Sequence, residues 1–277
     1  MTAALLAQAI ASYVNRAGGN VITQEQALSP DLAGLRLFDR PLIGFAGAGD
    51  SYFQELKKPG VVGPHLLLPG EWLPQAKTVI SIFFPLTEAV RSANRRDMKR
   101  PSEAWLHGRI EGQSLILDTC KYIEEILQSE GYEALTPALD SRFLGWNPKV
   151  SDKILDKSNQ AYYSSNWSER HAAYASGLGT FGLSRGIITR AGMAGRFGSV
   201  ITQAYFEPSV RPYTGVYDYC IHCGACAVNC PVKAISLEEG KRHPPCSEFL
   251  DGTKLKNTPH YGCGKCQVKV PCESGIP

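Results

Sequence analysis

The chain has 277 residues, of which 43% are hydrophobic and 20% charged, a composition that fits one large globular domain or a medium domain with a small appendage. It excludes a disordered chain, a collagen and a coiled coil. The formal net charge is only +3, so overall charge does not call for nucleic acid. The longest apolar run, residues 78–86, is too short to cross a membrane. Because the N-terminus lacks the features of a secretory signal, we expect a cytoplasmic protein with no membrane partner.

The first part of the chain predicts a mixed α/β fold. Apolar residues recur at helical spacing over residues 3–16, and two glycines follow. Two segments dense in aliphatic and aromatic residues are flanked by glycine or proline, as core strands are. A second amphipathic helix is predicted to lead into a strand. The predicted helices are 3–16 and 110–131, and the predicted strands are 40–46, 77–84 and 133–137.

A third helix, over 169–176, is predicted from a capping serine, Ser168, and a terminating glycine, Gly177. Strands over 186–189 and 197–206 are predicted to form a hairpin through the glycine-containing loop 190–196. Beyond residue 210 cysteine, glycine and proline dominate. We therefore expect an α/β domain over 1–210 and a small metal-binding domain over 211–277.

Eight of the nine cysteines follow residue 219, and four of them form the pattern C-x2-C-x2-C-x3-C-P that ends at Pro231. This is the bacterial ferredoxin arrangement for a 4Fe-4S cluster, in which the fourth cysteine binds a second cluster. Structural zinc is the alternative, but it favours pairs of C-x2-C and needs no trailing proline. Crossed ligation predicts one cluster on Cys220, Cys223, Cys226 and Cys272, and another on Cys230, Cys246, Cys263 and Cys266.

Eight thiols for two clusters leave no iron open to a substrate, so both clusters are predicted to be electron carriers. The ninth cysteine, Cys120, lies on the apolar stripe of a predicted helix, and we expect it in the core.

Residues 177–182 satisfy the dinucleotide pattern G-x-G-x-x-G, but their context is wrong for it. A helix precedes the segment where a strand is needed, and no acid follows until Glu207. Three glycines so close indicate either backbone lying against a bulky ligand or a tight turn that needs positive φ. The sequence leaves both open.

The segments 168–182 and 197–202, the ferredoxin loop and the stretch YGCGKCQ at 261–267 together resemble the epoxyqueuosine reductase family. They resemble the catalytic part of cobalamin-dependent reductive dehalogenases more distantly. The resemblance is clearest over 162–273. It implies a nitroreductase-like α/β domain that holds base-off cobalamin, followed by a ferredoxin-like domain with two 4Fe-4S clusters. In that family reduced cobalamin removes the epoxide oxygen from a modified wobble nucleoside in tRNA.

The resemblance also implies the site. The family has an aspartate proton donor before its Glu-Arg pair, whereas residues 160–167 contain no acid here, so Tyr163 or Tyr162 is the predicted catalytic acid. The alternative for both tyrosines is packing at a domain seam. The predicted cobalamin contacts are Gly177, Leu178, Gly179, Thr180, Phe181, Gly182, Ser184, Arg185, Gly198 and Ser199.

Two further departures concern the partner and one cluster. Family members that act on tRNA usually continue into a helical-repeat segment, and this sequence stops at Pro277, which disfavours tRNA. The basic run 91–100 is the candidate nucleic-acid patch, and a solvated helix face is its alternative. The spacing between Cys266 and Cys272 is wider than in the family, so the loop around that cluster is expected to differ.

The leading hypothesis is a cobalamin-dependent iron-sulfur reductase that takes electrons from a ferredoxin or flavodoxin and acts on an epoxide in tRNA or on a related small molecule. A non-catalytic two-cluster electron-transfer protein is one alternative. A reductase that binds flavin in place of cobalamin is the other. Cobalt content and visible spectra separate the three.

Overall fold

The computed structural model describes residues 1–146 and 163–277 and has the mixed α/β class that the sequence predicts. No helix in those two ranges is both long and apolar enough to cross a membrane. The helices are α1 (Ala3–Arg16), α2 (Ser51–Leu56), α3 (Pro69–Trp72), α4 (Glu88–Arg96), α5 (Glu103–Ser129), α6 (Glu169–Ala175), α7 (Ala225–Val228) and α8 (His243–Asn257). The strands are β1 (Leu42–Gly47), β2 (Thr78–Pro85), β3 (Ala134–Leu135), β4 (Gly145–Trp146), β5 (Ser164–Ser165), β6 (Gly179–Phe181), β7 (Ile187–Thr189), β8 (Gly195–Thr202), β9 (Ile235–Ser236) and β10 (Gly240–Lys241).

The core is a four-stranded antiparallel sheet in the order β1-β2-β8-β3. Every residue of β2 is buried, as its unbroken aliphatic and aromatic sequence requires. Because successive side chains of a strand point to opposite faces, Ile80 and Ile82 pack with α1 and α5, whereas Val79 packs with Trp167 and α6 on the other face. The sheet is therefore covered by helices on both sides.

Two sequence predictions need correction. The hairpin between 186–189 and 197–206 is wrong, because β7 pairs with β6, and β8 pairs with β2 and β3 in the central sheet. The apolar residues of β8 pack on both faces of the central sheet. A short two-stranded hairpin would not bury both faces of this strand. The long helix also begins earlier than expected, at Glu103, where the Ser102 hydroxyl accepts a hydrogen bond from the Trp105 amide.

The cysteine-rich segment 211–277 packs tightly on α4 and α5. Lys265 is fully buried, and its Nζ donates to the carbonyl and side-chain oxygens of Asn94, both at 2.6 Å. Gly264 has φ +67°, and a Cβ there would overlap the indole ring of Trp105. Only glycine accommodates both the left-handed backbone and this close approach. The boundary at residue 210 stays a prediction, since the two parts share these buried contacts.

Candidate functional site

A cavity of about 2060 Å³ lies where α5, α6 and β8 meet the cysteine-rich segment. We call it the large cavity. Ligand pockets usually have volumes of about 300–1000 Å³, so this one accommodates a molecule larger than a common metabolite. Its walls include Arg109, Ile116, Glu169, Arg196, Ser199 and Cys266.

The predicted cofactor contacts divide into two groups. Gly177 has φ +77°, and a Cβ at Gly179 would overlap the carbonyl oxygen of Ile188 in β7. A turn and the close β6–β7 pairing therefore account for these two glycines without a ligand, and their cofactor contact stays a prediction. Five of the predicted cofactor contacts line the large cavity: Phe181, Ser184, Arg185, Gly198 and Ser199. Those that do not are Gly177, Leu178, Gly179, Thr180 and Gly182.

Glu169, in the first turn of α6, places a carboxyl group at the wall of the large cavity. Its Oε2 is buried and has no hydrogen-bond partner among the described residues. Burial raises the pKa of Glu169 from 4.5 to about 7, although a hydrogen bond with Ser199 opposes the shift. The Ser199 hydroxyl already accepts a hydrogen bond from Trp167 Nε1 at 2.9 Å, which fixes its position. This carboxyl therefore exchanges a proton near neutral pH.

Tyr163, one of the two predicted catalytic tyrosines, also lines the large cavity. Its ring stacks on His243, with centroids 5.3 Å apart and planes 15° apart. Burial, followed by nearby Lys241 and arginines, lowers the pKa of His243 to about 4, so this imidazole is neutral. Tyr162 lies outside the described residues. The catalytic role of either tyrosine stays a prediction.

The first predicted ligand group surrounds a small cavity, lined by Cys220, Cys223, Cys226 and Cys272 together with Gly182. Burial and the neighbouring thiols raise the pKa of Cys226 to about 11 and that of Cys272 to about 12. Cys223 is exposed, so this group reaches the protein surface. Four thiols around one cavity are a donor set that suits iron or zinc.

The second predicted group comprises Cys230, Cys246, Cys263 and Cys266. Burial raises the pKa of Cys263 to about 12, and Cys266 and Cys246 add to the shift. Cys246 and Cys230 likewise raise the pKa of Cys266, after burial. These mutual effects accord with the two groups that crossed ligation predicts, and the assignment of the eight cysteines to two clusters stays a prediction. Cys266 and Cys120 both line the large cavity, and Cys120 is a fully buried core residue as expected.

A buried carboxylate between two histidines was not found from the sequence, although His107 and Glu111 have the i, i+4 spacing that signals a side-chain pair. His107 Nδ1 and His260 Nε2 each lie 2.9 Å from Glu111. Burial raises the pKa of Glu111, but the hydrogen bonds from both histidines outweigh it and the pKa is lowered. The Leu28 amide donates to His107 Nε2, which puts the ring proton on Nδ1. This arrangement is a hydrogen-bonded link between α5 and the cysteine-rich segment, and it leaves His107 no lone pair for a metal.

Two arginines of the basic run 91–100 pair with acidic residues. Arg91 and Arg95 pair with Glu88 on α4, and Arg95 also lies 2.6 Å from Glu273. The solvated helix face, the alternative given for this run, accounts for these arginines.

Comparisons with known proteins identify the iron-sulfur part and the fold. Residues 213–236 match the 4Fe-4S binding domain family. A crystal structure of selenomethionine-labelled epoxyqueuosine reductase aligns at TM-score 0.54 and 19% identity, covering 99% of this chain and 67% of that one. A crystal structure of epoxyqueuosine reductase with an epoxyqueuosine-modified tRNA-Tyr stem loop aligns at TM-score 0.54 and 18% identity, covering 99% and 66%. The chain thus spans about two thirds of these relatives.

The enzyme from Bacillus subtilis, with its catalytic aspartate loop swung out of the active site, aligns at TM-score 0.50 and 20% identity, covering 85% of this chain and 62% of that one. A catabolic reductive dehalogenase reaches only TM-score 0.46, below the level of a shared fold. No curated protein sequence matches the chain. The predicted resemblance to epoxyqueuosine reductases is confirmed at the level of the fold.

Proposed function

We propose that this protein is a cytoplasmic iron-sulfur reductase whose reaction takes place in the large cavity. One observation carries the proposal: Cys266, a predicted cluster ligand, and Glu169, a carboxyl group that holds a proton near neutral pH, line the same cavity. A reduction that breaks a carbon–oxygen or carbon–halogen bond consumes electrons and a proton. The source of electrons, at Cys266, and the source of the proton, at Glu169, would therefore both lie at the wall of the large cavity.

The order of the two cysteine groups supports a direction for electron flow. Cys223 is exposed, so a ferredoxin or flavodoxin has access to the first group. Cys266 of the second group is close enough to Cys226 of the first group to contribute to the raised pKa of Cys226. A 4Fe-4S cluster on each group transfers single electrons, and hydrogen bonds and solvent exposure set its potential. The path then runs from the surface to the cavity wall.

Cobalamin fits the large cavity in size and in lining. The volume of about 2060 Å³ accommodates a corrin, and Gly198 of β8, which has no side chain, contributes to the lining. Phe181, Ser184, Arg185 and Ser199 would contact it. Bound cobalamin supplies a reduced cobalt that acts as a nucleophile or as a one-electron donor. Around it, this chain's own residues position the substrate, exclude water and deliver the proton.

Two side chains of the large cavity are candidate proton donors, Glu169 and Tyr163. Glu169 holds its proton by burial, and it lines the large cavity in which the substrate would bind, so it is the donor that we propose. Tyr163 is the donor predicted from the sequence. Glu169→Gln and Tyr163→Phe separate them, with exposed Tyr205→Phe as the matched control. If Glu169 is the donor, activity in the parent protein falls as pH rises through about 7, and only E169Q abolishes that dependence. A pH profile unchanged in E169Q would assign the proton to Tyr163 or to another group.

Elemental analysis of anaerobically purified protein, produced with cobalamin supplied, tests the proposal. We expect about eight irons and about one cobalt per chain, since crossed ligation fills two clusters. Reduction of epoxyqueuosine-containing tRNA and of organohalides is then assayed to find the substrate class. Eight irons without cobalt would refute the cobalamin assignment and favour a flavin reductase or a non-catalytic electron carrier, which visible spectra distinguish. Zinc in place of iron would refute the proposal.

A further inference from the structure

The walls of the large cavity are strongly basic. Among the described residues, the acidic side chains of this lining are Glu169 and Asp251, and Glu169, whose pKa is about 7, is about half protonated at neutral pH. The lysines and arginines of the lining are Arg109, Arg170, Arg185, Arg196, Lys241 and Lys254. The cavity therefore carries a net positive charge that favours an anionic ligand.

Three of these arginines come together from three elements, α5, α6 and β8, and their hydrogen-bond partners are neutral. Arg109 Nη2 donates to the Tyr261 hydroxyl at 2.8 Å, Arg170 Nη1 to the Arg185 carbonyl at 2.8 Å, and Arg196 to the amide oxygen of Gln113. No ion pair within the described residues includes Arg109, Arg170 or Arg196. Their charges are thus grouped without a protein carboxylate.

Arg196 adds an independent observation. Its Nε is shielded from solvent and has no hydrogen-bond partner in the part of the chain that the structure describes. Burial, then the charges of Arg109 and Arg170, lowers the pKa of Arg196 to about 9. A buried donor without an acceptor costs about 1–3 kcal/mol, and the two neighbouring cations add to the cost of holding Arg196 charged here, a cost that an anion in the cavity would offset.

We propose that Arg109, Arg170 and Arg196 form a receptor for a phosphate group on the ligand of the large cavity. Guanidinium groups bind phosphate oxygens through paired, charge-assisted hydrogen bonds. Three guanidiniums from three directions suit the three or four oxygens of a phosphate better than the two of a carboxylate. This binding requires neither a metal nor turnover, so it stands apart from the proposed reductase activity.

Calorimetric titration of the cluster-loaded full chain with inorganic pyrophosphate, at low ionic strength, tests the receptor. We expect binding, weakened about tenfold or more in R109Q and R196Q, because each loses a charge-assisted hydrogen bond. Exposed Arg40→Gln changes the net charge equally and serves as the control, and it should bind as the parent protein does. Iron content and circular dichroism establish that each variant is folded. Arg196→Lys, which keeps the charge but loses Nε, should retain only part of the affinity.

Three results would overturn the proposal: no pyrophosphate binding by the parent protein, equal affinity of R40Q and R196Q for pyrophosphate, or acetate binding as tightly as pyrophosphate.

A second experiment determines whether the phosphate belongs to the cofactor or to the substrate. It compares the binding of cobalamin with that of cobinamide, which lacks the nucleotide phosphate. If the receptor serves the cofactor, the R196Q substitution weakens cobalamin but leaves cobinamide unchanged. If it serves the substrate, both corrinoids bind R196Q as they bind the parent protein, while pyrophosphate does not. Failure of both corrinoids to bind would refute only the cobalamin assignment.

Discussion

Replacement of Glu169 by glutamine should stabilise the protein, and the gain should depend on pH. The pKa of this carboxyl is about 7 in the folded protein and 4.5 ordinarily. Between these values the native state holds a proton that the unfolded chain has released, so the free energy of unfolding falls as pH rises through this window and levels off above it. Each pKa unit corresponds to about 1.4 kcal/mol, so the rise in the pKa of Glu169 from 4.5 to about 7 corresponds to about 3 kcal/mol of unfolding free energy. Water in the large cavity reduces this figure, and we expect about 1–3 kcal/mol.

Anaerobic denaturant unfolding of the parent protein and E169Q, at about pH 5 and about pH 8, measures this difference. Glutamine has no proton to release, so the advantage of E169Q should be small at the lower pH and largest at the higher one. Exposed Glu125→Gln is the control and should show no comparable pH dependence. An equal difference between E169Q and the parent protein at both pH values would refute the raised pKa, and with it the role of Glu169 as a proton donor.

Three further substitutions probe the cysteine-rich segment and its attachment. Gly264→Ala should cost at least about 2 kcal/mol, because the added methyl overlaps Trp105 and the backbone is left-handed, and calorimetry measures it. Cys272→Ala should reduce iron from about eight toward about four per chain by elemental analysis, whereas Cys120→Ala should leave it unchanged. Glu111→Gln should destabilise by about 1–3 kcal/mol near neutral pH. Because the pKa of Glu111 is lowered, that cost should vanish as pH falls below 4.5 toward the lowered value, and unchanged unfolding curves would contradict the buried link.

The parts of the fold that were predictable are those that local patterns determine. The all-buried strand β2 and the cysteine spacing each identify themselves without reference to distant residues. The partner of β8 was not predictable in this way. Its pairing with β2 joins residues more than a hundred positions apart, and the hairpin rule considers only neighbours in sequence.

The candidate site shows the same division. The sets of cysteines follow from a ferredoxin rule, whereas the arginine group and the buried Glu169 carboxyl arise only when α5, α6 and β8 converge. Glu169 stands in an ordinary first turn of a helix, and nothing near it in sequence indicates burial. The glycines of 177–182 show why a motif alone is not decisive, because the β6–β7 pairing requires a glycine at position 179 whether or not a ligand binds there.

The hydrogen bonds at Cys272 and Glu273 have a consequence for how the protein is made. Their carbonyl oxygens accept hydrogen bonds from Met193 and Ala194, and the Glu273 backbone covers Gly192. The entry to β8 therefore receives its last backbone partners only after residues 272–273 have left the ribosome. Cys272 belongs to the cysteine group at the surface, so that group is also completed at this late stage. If this group binds a cluster as proposed, iron must reach the chain after this region has been synthesised. Cells starved of iron should then accumulate a full-length protein in which the contact between 192–194 and 272–273 is not fully formed, and proteases should cut that protein near 190–196.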